Sequence, residues 1–151
     1  MAADADLLVS RTLDASPTDV FRMWASADER KHWWGPAHFD CTHYEQDFRP
    51  GGAWRAMIIS DRYGESWMSG VFREVDEEKR IVFTFAWEDG HGKPGAETLV
   101  TVSFADESGE TLQTFRQTPF KTAADRDSHA EGWNECFDKL AHHIATREKR
   151  T

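Results

Sequence analysis

After an acidic start the chain reads as a strand over about Leu7–Leu13, and then the hydrophobic period lengthens. SPTD at 16–19 predicts a helix start: Ser16 can accept from free backbone N–H groups, Pro17 suits the first turn, and Asp19 suits the positive helix end. Val20, Phe21 and Trp24 follow at helical spacing. ADERKHWW at 27–34 predicts a second short helix, ended by Gly35-Pro36. From there the pattern is that of strands. HFDCTHYEQDF runs into RPGG, a turn or bulge signal, and then into WRAMII. GVFREV and RIVFTFAW flank DEEK, a charged hairpin connection, and the second run sets Ile81, Phe83, Phe85 and Trp87 on one face. EDGHGKPGAE is a polar, glycine-rich loop, and LVTVSF and TLQTFRQ form another hairpin with Gly109 at its tip. The last and longest element is a helix over about Ala123–Arg147, with Trp133, Phe137, Leu140 and Ile144 in a 4-3-4 stripe.

A sheet with such an aromatic face must be covered, and the long helix is the element that can cover it. The pattern therefore predicts an α+β fold: one strand, two short helices, several antiparallel strands and a closing helix. Glycines and bulges around RPGG are expected to curve the sheet. No repeat or linker divides the chain, so residues 7–147 are read as one domain, with flexible termini at 1–6 and 148–151.

Composition narrows the function. Seven Trp and ten Phe in 151 residues are enough to fill a thick core or line a cavity. The net charge of −9 repels polyanions and argues against nucleic acid as a partner. Two cysteines, Cys41 and Cys136, are too few for a disulfide scaffold. The absence of a signal-like segment or a membrane-length apolar run leads us to expect a cytoplasmic protein without membrane insertion.

HWWGP, at 32–36, invites a functional reading. On a helix Trp33 and Trp34 would point about 100° apart, so one closes the core while the other reaches the cavity mouth or solvent. Arg49, Pro50, Gly51 and Gly52 are read as a structural turn, with Arg49 anchored to carbonyls or a carboxylate; no phosphate-binding loop is present. His38, Cys41 and His43 are close in sequence, with Cys41 and His43 expected on one strand face, and His129, His142 and His143 lie on the last helix. No paired-cysteine or HExxH spacing joins them, so no metal is expected. Cys136 stands two helical turns from His129 and His143, about 10 Å by helix rise, too far for direct proton transfer. No catalytic residue and no cofactor are assigned.

Trp54, Met57, Phe83, Phe85, Trp87, Phe104, Phe115, Trp133 and Phe137 are the candidates either to pack solidly or to surround a pocket. Tyr63, Arg116 and His129 are the candidate polar contacts within it. The faces of Tyr63 and Arg116 depend on strand register, since a slip of one residue reverses them.

The ordered segments RTLDASPTDVFRMWASADERKHWWGP, DFRPGGAWR, GVFREVDEEKRIVFTF and EGWNECFDKLAHHI resemble the Hsp90-ATPase-activator-homologue-like family, part of the Bet v 1/START-like (SRPBCC), polyketide-cyclase superfamily. The resemblance covers about Leu8 to Ile144. It implies a helix-grip fold, in which a curved antiparallel sheet wraps a long C-terminal helix and two short helices close one end. It also implies a hydrophobic cavity taking a hydrophobic or aromatic small molecule. Two alternatives accompany that expectation. One is a polyketide-cyclase-like enzyme using the same cavity. The other is a module contacting a chaperone or another protein through an exposed patch around Trp24, Trp34 and Trp67. A homodimer through a sheet edge or that patch is also open.

Overall fold

In a computed structural model, which describes residues 6–148, the elements follow the expected order. They are β1 (Leu7–Leu13), α1 (Pro17–Ala25), α2 (Ala27–Arg30), β2 (Asp40–Gln46), β3 (Ala53–Ser60), β4 (Gly64–Asp76), β5 (Arg80–Trp87), β6 (Thr98–Glu107), β7 (Glu110–Thr118) and α3 (Ala123–Glu148). Residues 1–5 and 149–151, most of the termini expected to be flexible, lie outside the described residues. Asp6 is held by Arg116 and Thr118.

Local chemistry sets the helix ends. Ser16 accepts from the Asp19 N–H and Ser26 from the Glu29 N–H, each capping a short helix. Thr122 does the same for α3 through the Asp125 N–H. The second helix is shorter than expected: α2 ends at Arg30, whose carbonyl accepts from both the Trp33 and Trp34 N–H groups, so the two tryptophans sit on a turn and not on a helix.

All strand pairs are antiparallel, in the order β1-β7-β6-β5-β4-β3-β2, and the sheet curls into a half-barrel around α3. The stripe of Trp133, Phe137, Leu140 and Ile144 is buried against it. α1 covers one end of the concave face with Val20, Phe21, Met23 and Trp24. Among the described residues no helix is long and apolar enough to cross a membrane.

The interruptions of the sheet differ from those expected. RPGG is a tight turn before β3, where Arg49 donates to the Asp47 carboxylate and Gly51 and Gly52 bond to the backbone of Phe72. Gly51 has φ +85, and a Cβ on Gly52 would lie 1.9 Å from the Asp47 carbonyl oxygen, so both positions require glycine. Register shifts occur instead between Cys41 and His43 and between Phe72 and Glu74. The first shift overturns the expected shared face: Cys41 is buried, while His43 lies partly exposed near the Trp67 ring.

A further opening lies between β4 and β5. The Val71 N–H donates to the Thr84 hydroxyl at 2.8 Å, and the Thr84 carbonyl accepts from the Trp54 indole at 3.0 Å, across Gly70. Side chains here replace ladder bonds where the strands separate.

On the convex face Glu88, with only 3% of its side chain exposed, takes bidentate hydrogen bonds from Arg55, whose guanidinium lies 4.0 Å from the Trp67 ring centroid. The Arg55 hydrogen bonds hold the Glu88 carboxyl below its ordinary pKa, against the opposing effect of burial. A depressed carboxylate pKa contributes stability that is complete above the unfolded value and is lost as pH falls through the folded one. The melting temperature of the wild type is therefore expected to fall more steeply than that of Glu88→Gln between about pH 5 and about pH 3. The variant is expected to melt lower at neutral pH. Parallel curves in a thermal melt series would remove this pair from the account of acid stability.

Candidate functional site

Phe83 and Phe104 meet Trp24 or Phe21 from α1, and Phe115 and Phe137 meet Trp133, so this part of the interior is solid aromatic packing. Trp54, Phe83, Phe104, Phe115 and Phe137 are all buried there. Farther along the same concave face α1 is absent and α3 presents Ser128, Gly132 and Cys136, small side chains four residues apart. Too little bulk fills the space beneath them, and a pocket of about 310 Å³ opens between the sheet and α3.

Its sheet side is Ile58 from β3, Ser66 and Met68 from β4, and Phe85 and Trp87 from β5. Its helix side adds His129 and Trp133 to the three small residues. The third wall is the segment from Trp34 to Phe39. That wall is tied to α3 by several bonds: Cys136 donates to the Trp33 carbonyl, Lys139 to the Pro36 and Phe39 carbonyls, and the Ala37 N–H donates to Glu135. Gly35 adopts φ +105 against Ile58. These contacts pin the segment to α3 as a wall of the pocket.

The polar groups of the pocket are few and mostly committed. His129 Nδ1 lies 2.9 Å from the Asp125 carbonyl, which requires the proton on Nδ1; Nε2 then accepts from the Trp87 indole at 3.1 Å. The Trp133 indole donates to Gln117, and the Trp34 indole faces the Met68 sulfur at 3.3 Å. Burial pushes the Cys136 thiol up to about 12, so it is no nucleophile at neutral pH. Ser66 and Ser128 complete the polar lining.

Of the residues proposed from sequence, Phe85, Trp87, His129, Trp133 and Trp34 come together around this pocket. Trp33 is fully buried on Trp24 and Phe137, and Trp34 is also buried, so neither indole reaches solvent. Three positions are corrected. Met57 lies on the convex face, paired with Trp67. Arg116 is exposed on that face and ion-paired to Asp6. Tyr63, 66% exposed in the β3–β4 turn, stacks on Phe39 behind the pocket wall. The aromatic surface patch expected around Trp24, Trp34 and Trp67 is absent, because the first two are in the core. Ser128, Gly132 and the 35–39 wall were not among the residues proposed from sequence; the small-residue spacing on α3 is the signal that could have found the first two.

Comparison with known proteins agrees with this architecture. The structure of an AHSA1 protein from Silicibacter pomeroyi superposes with a TM-score of 0.86 at 24% identity, covering 95% of this chain and 99% of that one. A protein from Nitrosomonas europaea gives 0.82 at 22% identity over 99% of both chains. DynU16, from the dynemicin biosynthetic locus, gives 0.76 at 16% identity, covering 94% of this chain and 48% of its own. No curated protein sequence matches the chain. The family model described as Activator of Hsp90 ATPase homolog 1-like protein matches residues 14–145, almost the whole folded unit with its half-barrel and long closing helix, and the chain belongs to that family.

Proposed function

We propose that the protein is a cytoplasmic binder of a compact hydrophobic or aromatic small molecule, held between β3–β5 and α3. The observation that carries this reading is the pocket of about 310 Å³, walled by Trp34, Phe39, Met68, Phe85, Trp87 and Trp133 with two serine hydroxyls. Its volume is at the lower end of the roughly 300–1,000 Å³ of small-molecule sites, which favours one or two rings over a long lipid chain. Polyketide-cyclase-like turnover in the same cavity is the second reading, in keeping with the fold shared with DynU16, a protein of the dynemicin biosynthetic locus. It ranks second because both His129 nitrogens are engaged and the Cys136 thiol is held protonated. Contact with a chaperone, raised by the family name, ranks third because Trp24 and Trp34 are buried.

Gly132 supplies the test. A Cβ there meets only Pro36 Cγ at 3.5 Å, so a side chain is tolerated at its root and extends into the pocket. Titration with the neutral fluorophore N-phenyl-1-naphthylamine is expected to give saturable 1:1 binding with energy transfer from tryptophan. Gly132→Leu is expected to weaken it at least about tenfold, or about 1.4 kcal/mol, with the melting temperature kept. Equal binding by the variant, or none by the wild type, rejects the pocket reading.

A further inference from the structure

Two turns farther along α3 from Cys136, beyond the pocket wall, two imidazoles and a carboxylate converge from distant parts of the chain. Glu29 lies in α2 with its N–H capped by Ser26, and His32 follows one turn later, its N–H donating to the Glu29 carbonyl. His143 arrives from α3 with Nε2 3.3 Å from Glu29 Oε1. One ligand atom from each of Glu29, His32 and His143 lies within 4.8 Å of the others. We propose that these three side chains form a binding site for a late first-row divalent cation, Zn²⁺ foremost.

The donor set carries the choice of ion. Two imidazole nitrogens and one carboxylate oxygen suit Zn²⁺, Co²⁺ or Cu²⁺, whereas Mg²⁺ and Ca²⁺ take oxygen ligands. Glu29 is divided between two tasks: Oε1 faces His143, while Oε2 takes the Arg147 guanidinium. Monodentate binding through Oε1 keeps the Arg147 bond, which then orients the ligating carboxylate from outside the coordination sphere. The guanidinium thus has a place beside the cation without blocking it, although its charge lowers the affinity.

Closure requires a small movement. Tetrahedral bonds of about 2.0–2.1 Å set ligand atoms about 3.4 Å apart. The His32 and His143 rings now stack at 4.5 Å and 9°, a geometry in which an ion sits at the ring edges and not between the faces. His32 is exposed and free to turn toward such an edge position, while His143 and Glu29 stay fixed by their packing. Three protein ligands leave a fourth position open toward a groove of about 420 Å³ lined by His32, Glu135, Lys139, His142 and Arg147. A water or a small anionic donor would complete the shell there. The site joins the turn before Trp33 and Trp34 to α3, and it stands independently of what the apolar pocket binds.

The test uses untagged full-length protein freed of metal with a chelator. Calorimetric titration with ZnCl₂ at neutral pH is expected to show one ion per chain, and Co²⁺ to produce the visible absorption of a four-coordinate imidazole–carboxylate site. His143→Gln, His32→Gln and Glu29→Gln are each expected to weaken Zn²⁺ binding at least tenfold, while His91→Gln, in the β5–β6 loop, leaves it unchanged. The Co²⁺ spectrum reads the wild type alone, so the assignment does not depend on the variants folding. Absence of saturable binding below millimolar Zn²⁺ overturns the proposal, as does binding that the three substitutions leave intact.

Discussion

Arg30→Ala is expected to cost about 4–6 kcal/mol, enough to remove most of the stability of an ordinary domain. Arg30 is 1% exposed, and no carboxylate among the described residues pairs with it. Its charge is met by dipoles and rings: Nε donates to the Trp24 carbonyl at 2.7 Å and Nη1 to the Tyr44 hydroxyl at 2.6 Å. The guanidinium carbon stands 4.7 Å from the Trp24 ring centroid, 5.0 Å from Trp34 and 5.1 Å from Tyr44. Among the described residues Nη2 has no hydrogen-bond partner. Truncation leaves a hole among three large rings and strips the Trp24 carbonyl of one donor. The charge itself is another matter, since burial pulls the Arg30 pKa below the ordinary guanidinium value, a sign that this site disfavours the cation on balance. Arg30→Met, which fills the volume without the charge, is therefore expected to lose far less than Ala. Arg30→Lys is expected to fall between them, keeping the charge but losing the planar stack and one of the two bonds. Urea unfolding followed by tryptophan fluorescence gives the order directly, with Ala shifted by about 2 M or more. A Met variant as damaged as Ala would show that the cation, and not the packing of its stem and plane, holds this end of the core.

How far such a site is legible in sequence depends on the range of its contacts. Elements fixed by short periods were readable: β1 spans Leu7–Leu13 and β5 spans Arg80–Trp87, as their patterns predict, and the stripe on α3 is buried as its spacing requires. The start of β4 was not, because GESWMS lacks the β-branched run that marks a strand and is held instead by β3. Met57 and Arg116 failed on strand parity, which one residue of register decides, and Tyr63 failed because it stands in the β3–β4 turn, outside the sheet. Alternation also cannot separate Phe83 from Phe85. Both face inward, but α1 covers the first, while the second meets the stretch of α3 where Ser128 and Gly132 leave room. The Glu29–His32 pair has a local spacing, yet its meaning depends on His143, more than a hundred positions away and brought near only by the closing helix.

Gly70→Ala is the substitution that should do comparable damage with the smallest change in atoms. A Cβ at this position would stand 1.8 Å from the Thr84 carbonyl oxygen and 2.6 Å from Trp54 Nε1. The first of these is backbone and cannot swing aside, so β4 and β5 must separate or the Trp54 bond to Thr84 must break. Overpacking of about 1–3 kcal/mol and the orphaning of a buried donor and acceptor, another 1–3, give an expected loss of about 3–5 kcal/mol. Gly132→Ala is the matched contrast: same atoms added, but in a helix with ordinary contact to Pro36, and expected to gain up to about 1 kcal/mol. Combining Gly70→Ala with Trp54→Phe distinguishes the two clashes. If the carbonyl contact dominates, removing the indole N–H rescues little and the double variant stays near the sum of the single losses. Full rescue would place the strain in the indole alone and leave the strand opening free to accept a side chain. The result also bears on binding, because Met68 and Phe85, which flank this opening in β4 and β5, form the floor of the pocket. A Gly70→Ala protein that still folds is therefore expected to bind N-phenyl-1-naphthylamine more weakly than the wild type, although Gly70 itself lines no part of the pocket.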